Sequence, residues 1–261
     1  MNETLVIPDC HVLPGQTLSR FDPLGELIVQ RRPDHIVFLG DFVTLESLSH
    51  WDADKPLLME NRRYLNDIRA GREALQRTLA PLRALQDKQR RLKEKLYRPL
   101  LVWCHGNHEH RLDRYLEKYP ALVGQLDLTK DLGLEEFGFH SVVPYKDYIN
   151  LDGVLFTHAV INAAGQPTQG KYAVFRAGES CHNSVVFAHL HRKESVNFRR
   201  HGRDELIQCL SAGCFFEDTP DYARGGISAT WSGVLLLSHI DFGMFDVEEY
   251  SLERLRYEFS G

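Results

Sequence analysis

The chain has 261 residues, 43% of them hydrophobic and 26% charged, and a net charge of -5. Those values fit one large globular domain or two small ones, and they exclude a uniformly basic nucleic-acid binder. No apolar run reaches the roughly 18–20 residues of a membrane span, no signal peptide is expected at the N-terminus, and five scattered cysteines without a CxxC pair point to a reducing cytoplasm rather than a disulfide framework.

In chain order, a short apolar run at residues 4–7 stops at Pro8-Asp9-Cys10-His11. A helical pattern follows over 18–30. A second run at 35–39 ends in Gly40-Asp41, and a third at 100–104 ends in His105-Gly106-Asn107-His108-Glu109. The run at 154–157 meets His158, and the run at 184–188 meets His189-Leu190-His191. Each run is short and rich in β-branched or aromatic residues, as expected of a strand buried on both faces. Strands alternating with helices predict an α/β architecture, whose sites lie beyond the carboxyl ends of the strands. The polar clusters fall at those ends five times.

Residues 55–98 read differently, as a basic helical insert. Over residues 60–98 there are 12 basic residues against 5 acidic ones, about +7, leaving about -12 on the rest. Leu65, Ile68, Leu75, Leu79, Leu82, Leu92 and Leu96 supply an apolar stripe, and Pro81 is expected to kink or divide the helix. Such a surface could meet a polyanion, cover the site as a lid, or form the contact of a homo-oligomer. Further strands are expected at 206–210 and 233–238, with a turn at Gly225-Gly226 between them, and an edge strand or short helix at 247–259.

The 13 histidines against 3 methionines are the compositional surplus to be explained. Asp9 and His11 stand two apart, which on an extended strand end aims both side chains to one side, and His189 and His191 repeat that spacing. Asp41 follows a glycine that permits a sharp turn. Asn107 adds an amide oxygen and His158 an imidazole. Two carboxylates, one amide and four imidazoles suit Mn, Fe, Zn or Ni better than Ca or Mg. Seven ligands exceed one tetrahedral site and suit two adjacent cations sharing a carboxylate, an arrangement that clamps an in-line displacement at phosphorus.

The blocks Asp9-Cys10-His11, Gly40-Asp41, Gly106-Asn107-His108-Glu109, Phe156-Thr157-His158 and Ala188-His189-Leu190-His191 resemble the signature blocks of the calcineurin-like metallophosphoesterases. Residues 106–112, together with the basic insert, are similar to the phage-encoded branch of that family. The resemblance implies one domain over residues 1–261, a four-layer α/β/β/α sandwich of two mixed sheets with a helical insert. It implies that Asp9, His11, Asp41 and His191 hold one divalent metal ion and that Asp41, Asn107, His158 and His189 hold the second, with Asp41 bridging. Manganese is expected, with iron, zinc or nickel as substitutes. It further implies a metal-bridging hydroxide as nucleophile, His108 as general acid or phosphoryl-charge stabiliser, and Glu109 orienting His108.

Two departures bear on substrate. Gly40-Asp41 continues as Phe42-Val43-Thr44-Leu45, without the Asp-Arg pair of many relatives, which weighs against a protein-phosphatase-like reading. Ala188 stands where the family usually has Gly. Contacts to the substrate phosphate are therefore sought in Asn107 and in the cations Arg111, Arg192 and Lys171. Arg111 ranks first because it follows His108 by three residues on an expected helix. The expected activity is hydrolysis of a phosphomonoester or phosphodiester in a nucleotide or nucleic-acid end, held through the basic insert. A nuclease of the SbcD type is the enzymatic alternative, although little chain remains for its capping domain. A non-catalytic scaffold is the other class, against which all seven ligands and His108 are present. A nucleic-acid-binding module acting through residues 60–98 is the third. His35, His50, His140, His182, His201 and His239 show no partner spacing and are assigned structural roles, while His105 and His110 flank the site.

Overall fold

The computed structural model describes residues 2–50, 52, 54–199, 206–217, 229–241 and 243–259. In its first half the chain forms β1 (Thr4–Ile7), α1 (Phe21–Arg31), β2 (His35–Phe38), a 3-10 turn at Glu46–Leu48, α2 (Pro56–Met59), α3 (Tyr64–Leu92), β3 (Leu100–Cys104) and α4 (His110–Lys118). There follow α5 (Leu128–Leu132), α6 (Leu134–Phe137), β4 (Phe139–Val143), β5 (Ile149–Leu151), β6 (Val154–Thr157), α7 (Ala173–Ser180) and β7 (Ser184–Phe187). The last elements are β8 (Lys193–Arg199), β9 (Leu206–Ala212), β10 (Gly233–Asp241), β11 (Met244–Ser251) and α8 (Leu252–Phe259). Gly225-Gly226 and His201 lie outside the described residues.

The strands form two mixed sheets, ordered β11-β10-β1-β2-β3-β4 and β5-β6-β7-β9-β8. The strands β1 to β4 run parallel, as do β6, β7 and β9, so each sheet gathers its carboxyl ends along one edge. Period-two alternation assigns the layers. Leu5, Ile7, Ile36, Phe38, Leu101 and Trp103 face the helices α1, α3 and α8. Their neighbours Val6, Val37, Val102 and Cys104 face the second sheet and meet Phe156, Val186 and Leu210 across the gap. Val185, Phe187 and Cys209 pack on α7 at the far side. Three apolar seams therefore bind four layers, the α/β/β/α sandwich expected from the sequence. Among the described residues no helix is long and apolar enough to cross a membrane.

The basic stretch differs from its expectation. Pro81 does not divide the helix, because α3 runs unbroken for 29 residues, about 43 Å at 1.5 Å per residue. The proline ring packs on α1 at Gly25, where an added Cβ would stand 2.9 Å from Pro81 Cγ. Ile68, Ala74, Leu75, Leu79 and Leu82 are buried in the helical seam. Leu65 and Leu92, at 56% and 55% exposure, are not part of that stripe. Helix α3 is therefore no lid: it is an outer-layer helix packed beside α1. Part of the charge of the stretch is paired, Arg62 with Glu46 and Asp52, Arg72 with Glu136, Arg77 with Asp22 and Glu73, and Arg90 with Asp87. The 247–259 ambiguity resolves into both alternatives, strand β11 followed by helix α8.

Candidate metal centre

The loops after β1, β2, β3, β6 and β7 converge between the carboxyl ends of the two sheets. Those after β1 and β2 zip together, His11 N–H donating to Asp41 O at 2.9 Å and Val12 N–H to Phe42 O at 2.8 Å. His11, Asp41, His189 and His191 all have left-handed backbones, with φ of 46°, 48°, 66° and 56°. This corrects the reading of Asp9-x-His11 and His189-x-His191 as extended strand ends. The side chains converge because the loops curl inward. Gly106 is required by close approach rather than by φ, since a Cβ there would stand 2.1 Å from Asp41 Oδ1.

Asp9 is fully buried and Asp41 is 2% exposed. Their ion-pair partners among the described residues are all imidazoles. Asp41 Oδ2 lies 3.9 Å from His11 Nε2 and 3.5 Å from His158 Nε2, between two groups of donors. On one side, His191 Nε2 is 3.0 Å from Asp9 Oδ2 and 3.1 Å from His11 Nε2. On the other, His158 Nε2 is 3.0 Å from Asn107 Oδ1, and the rings of His158 and His189 lie edge to face. Three sets of donor atoms lie within 4.8 Å of one another: Asp9, His11 and His191; His11, Asp41 and His108; Asp41, His158 and His189.

Buried carboxylates are costly unless neutralised, and here imidazoles face them together with two backbone N–H groups, that of His189 on Asp9 at 3.0 Å and that of His108 on Asp41 at 2.8 Å. Burial and the neighbouring His108 hold His11 well below its ordinary range, and burial and His158 push His189 down to about 4. Those rings are neutral lone-pair donors. Against burial, Asp41 is held low by His158, His108 and His11, and His158 is raised by Asp41 and Asp9. His158 Nδ1 sits 2.9 Å from Leu39 O, the backbone hydrogen bond that fixes a ligating histidine with Nε2 free. Neutral imidazoles, two carboxylates and an amide oxygen converging without a lysine or arginine in the ligand set fit divalent cations.

His108 is 7% exposed and anchored through Nδ1 to Thr44 O at 2.8 Å, with Nε2 toward the centre, 3.9 Å from Asp41 Oδ2. Glu109 does not orient it, contrary to expectation. One Glu109 oxygen accepts from the backbone N–H of Asp41 and Gly106, both at 2.8 Å, and the other from Phe42 and Val43. Its carboxylate staples the Asp41 turn, and His108 is held by Thr44 instead. Burial and Asp41 raise Glu109 to about 7, while the N–H groups pull it down.

Among the cations, Arg111 reaches the site: Nη2 is 3.4 Å from His108 Nε2, and Nη1 donates to Thr44 O at 3.0 Å. Arg192 is engaged by Glu194 and the Gly170 carbonyl. Lys171 lies over the Tyr172 ring. Three supporting residues carry no local sequence signal. Arg20, fully buried, donates to the carbonyls of Cys10 and Phe215 at 3.0 and 3.1 Å, and so braces the Asp9–His11 loop. Phe216 packs edge-on against the rings of His11 and His191. The Tyr145 ring lies 6.1 Å from that of His158. All three reach the centre only through tertiary folding.

The chain is 26% identical over 244 residues to the "Gene 54 protein" of Mycobacterium phage D29, covering 91% of this chain and 89% of that protein. Among solved structures, wild-type Vps29 complexed with zinc from Entamoeba histolytica aligns at 12% identity and a TM-score of 0.38, over 96% of this chain and 99% of that one. The model of the calcineurin-like phosphoesterase family matches residues 3–218, a span that takes in every loop of the centre. This chain belongs to the calcineurin-like phosphoesterase family.

Proposed function

We propose that this chain is a dinuclear metal-dependent phosphoesterase hydrolysing phosphomonoester or phosphodiester bonds, with a nucleotide or nucleic-acid end as substrate. The observation that carries this reading is Asp41, whose Oδ2 stands between His11 and His158 with a donor group on either side. Asp9, His11, Asp41 and His191 would hold one ion and Asp41, Asn107, His158 and His189 the other. Manganese suits this mixed set, and iron, zinc or nickel would also fit it. When bound, the pair supplies neutralisation of the phosphoryl oxygens and an acidified water as nucleophile.

The remaining work falls to the chain. Glu109 and Gly106 keep the Asp41 turn closed. Thr44 O holds the His108 ring by Nδ1, leaving Nε2 to place a proton on the departing oxygen. The Arg111 guanidinium lies beside Nε2, so the two groups would face the substrate together. The same charge is placed to draw a phosphoryl oxygen. A reducing cytoplasm is the setting we propose, with Cys10, Cys104, Cys209 and Cys214 buried as small apolar groups.

Hydrolysis of p-nitrophenyl phosphate beside bis-p-nitrophenyl phosphate tests the reading, with manganese added and after chelation. The expected result is turnover that tracks the content of bound metal. Activity that survives complete metal removal overturns it. Preference for the diester places the chain with nucleases and cyclic-nucleotide esterases, and preference for the monoester with phosphatases.

A further inference from the structure

We propose that the cleft between the Glu46–Leu48 turn and α4 binds the leaving nucleoside of a phosphodiester substrate, with its base on Tyr115 and Tyr119 and its next phosphate at Arg114 and Lys118. This rests on the phosphoesterase reading and adds to it a substrate class and a direction of binding.

The cleft measures about 530 Å³, and Arg111, Arg114, Tyr115, Lys118 and Tyr119 line its α4 side. A site for a small ligand or a single nucleotide falls in the range of about 300–1,000 Å³. Leu48 and Met59 close the opposite wall. Tyr115 and Tyr119 are one helical turn apart, with ring centroids 4.7 Å from each other and planes tilted by 47°. Tyr119 is 43% exposed, with the Lys118 ammonium 5.4 Å from its ring centroid. Tyr115 is half-buried beside it, and accessible aromatic rings are the usual platform for unpaired bases, because every base has a π-face.

Charge complements the aromatic wall. Arg111, Arg114 and Lys118 recur at three and four residues along α4 and share one face. Glu117 stands on the same rim and leaves the lining positive. Arg111 joins the cleft to the centre, lining the one while its Nη2 lies 3.4 Å from His108 Nε2 in the other. In the reaction the phosphorus–oxygen bond to the departing nucleoside breaks, the oxygen of water joins phosphorus, and the His108 proton goes to the leaving oxygen. The departing group therefore lies on the His108 side, where the cleft opens.

Geometry also moves the polyanion contact away from the expected surface. The N-terminal end of α3 is tied to the site side, Asp67 accepting from the Ser47 hydroxyl. Its C-terminal end meets the segment before β3, where Gln86 donates to Tyr97 O and Tyr97 to Pro33 O. The basic cluster at Arg90, Arg91 and Lys93 is thus about 35–40 Å along the helix axis from Asp67.

The test compares tetrathymidylate with bis-p-nitrophenyl phosphate as substrates of the manganese-loaded full chain. Arg114→Glu with Lys118→Glu, and separately Tyr115→Ser, should lower the ratio of the two kcat/KM values by about tenfold. Tyr115→Phe should keep that ratio, and the double charge reversal should flatten its salt dependence. Bound manganese and circular dichroism confirm that each variant is folded. An unchanged ratio, or equal losses on both substrates, overturns the cleft while leaving the phosphoesterase reading intact. If the parent chain cleaves p-nitrophenyl phosphate but neither diester, the cleft proposal is overturned; if it cleaves none of the three, the phosphoesterase reading is overturned. Fluorescein-labelled tetrathymidylate then reads the cleft alone: weaker binding to the same variants supports it, and equal binding overturns it.

Discussion

The metal centre and helix α3 hold much of the charge in this molecule and use it in opposite ways. At the centre two carboxylates are almost completely buried, and imidazoles crowd them at 3.0 to 3.9 Å. On α3 the basic groups stand toward solvent, and Arg72, Arg77 and Arg90 each lie beside an acid of α3 or a neighbouring element. Exposed pairs contribute little to stability, and solvent screens the charge around them. Buried carboxylates ringed by imidazole nitrogens make a pocket suited to a cation. A run of like charge in sequence is thus a poorer guide to chemistry than two carboxylates sharing one dry pocket.

This contrast can be broken at several points, beginning with the largest effect. Asp41→Ala removes the group common to both donor sets. Bound metal should fall from two ions to fewer than one per chain, with turnover lost, as read by elemental analysis and ester hydrolysis. Next comes His108→Ala, for which both ions should remain while kcat falls by about 10²–10⁴. Loss of metal in that variant would make His108 a ligand. Glu109→Gln is smaller still. An amide can accept from only one of the two N–H pairs that the carboxylate holds, so metal affinity or activity should drop about 10–100-fold. At the other pole, Arg77→Ala breaks pairs with Asp22 and Glu73 at the surface. Unfolding free energy should change by about 1 kcal/mol or less, with hydrolysis unaltered. A large loss there would erase the distinction between the two regions.

The strands at Thr4–Ile7, Leu100–Cys104 and Val154–Thr157 were legible to the residue, because each is a short apolar run closed by a polar turn. Both β4 and β5 were not, since Phe139–Val143 and Ile149–Leu151 carry polar positions at the sheet edges. The ligand candidates stood out because they follow strands directly, where local order maps onto place in space. Glu109 misled because its neighbour in sequence is His108, whereas the amides it binds belong to residues 41–43 and 106. Arg20 and Phe216 were invisible for the same reason, their partners lying up to 205 positions away. Pro81 reads as a breaker locally, and only the close approach to Gly25 of α1 shows where its ring fits.

The left-handed backbones of His11, Asp41, His189 and His191 have a thermodynamic consequence beyond aim. Each such residue costs roughly 1–2 kcal/mol relative to its relaxed state, and the folded chain alone must hold all four. Ions that bind the curled loops and not the unfolded chain return that cost by mass action. Folding and metal uptake are thereby one equilibrium: the melting temperature should climb with free manganese, and the strand-end loops should exchange their amide hydrogens faster once the ions are stripped.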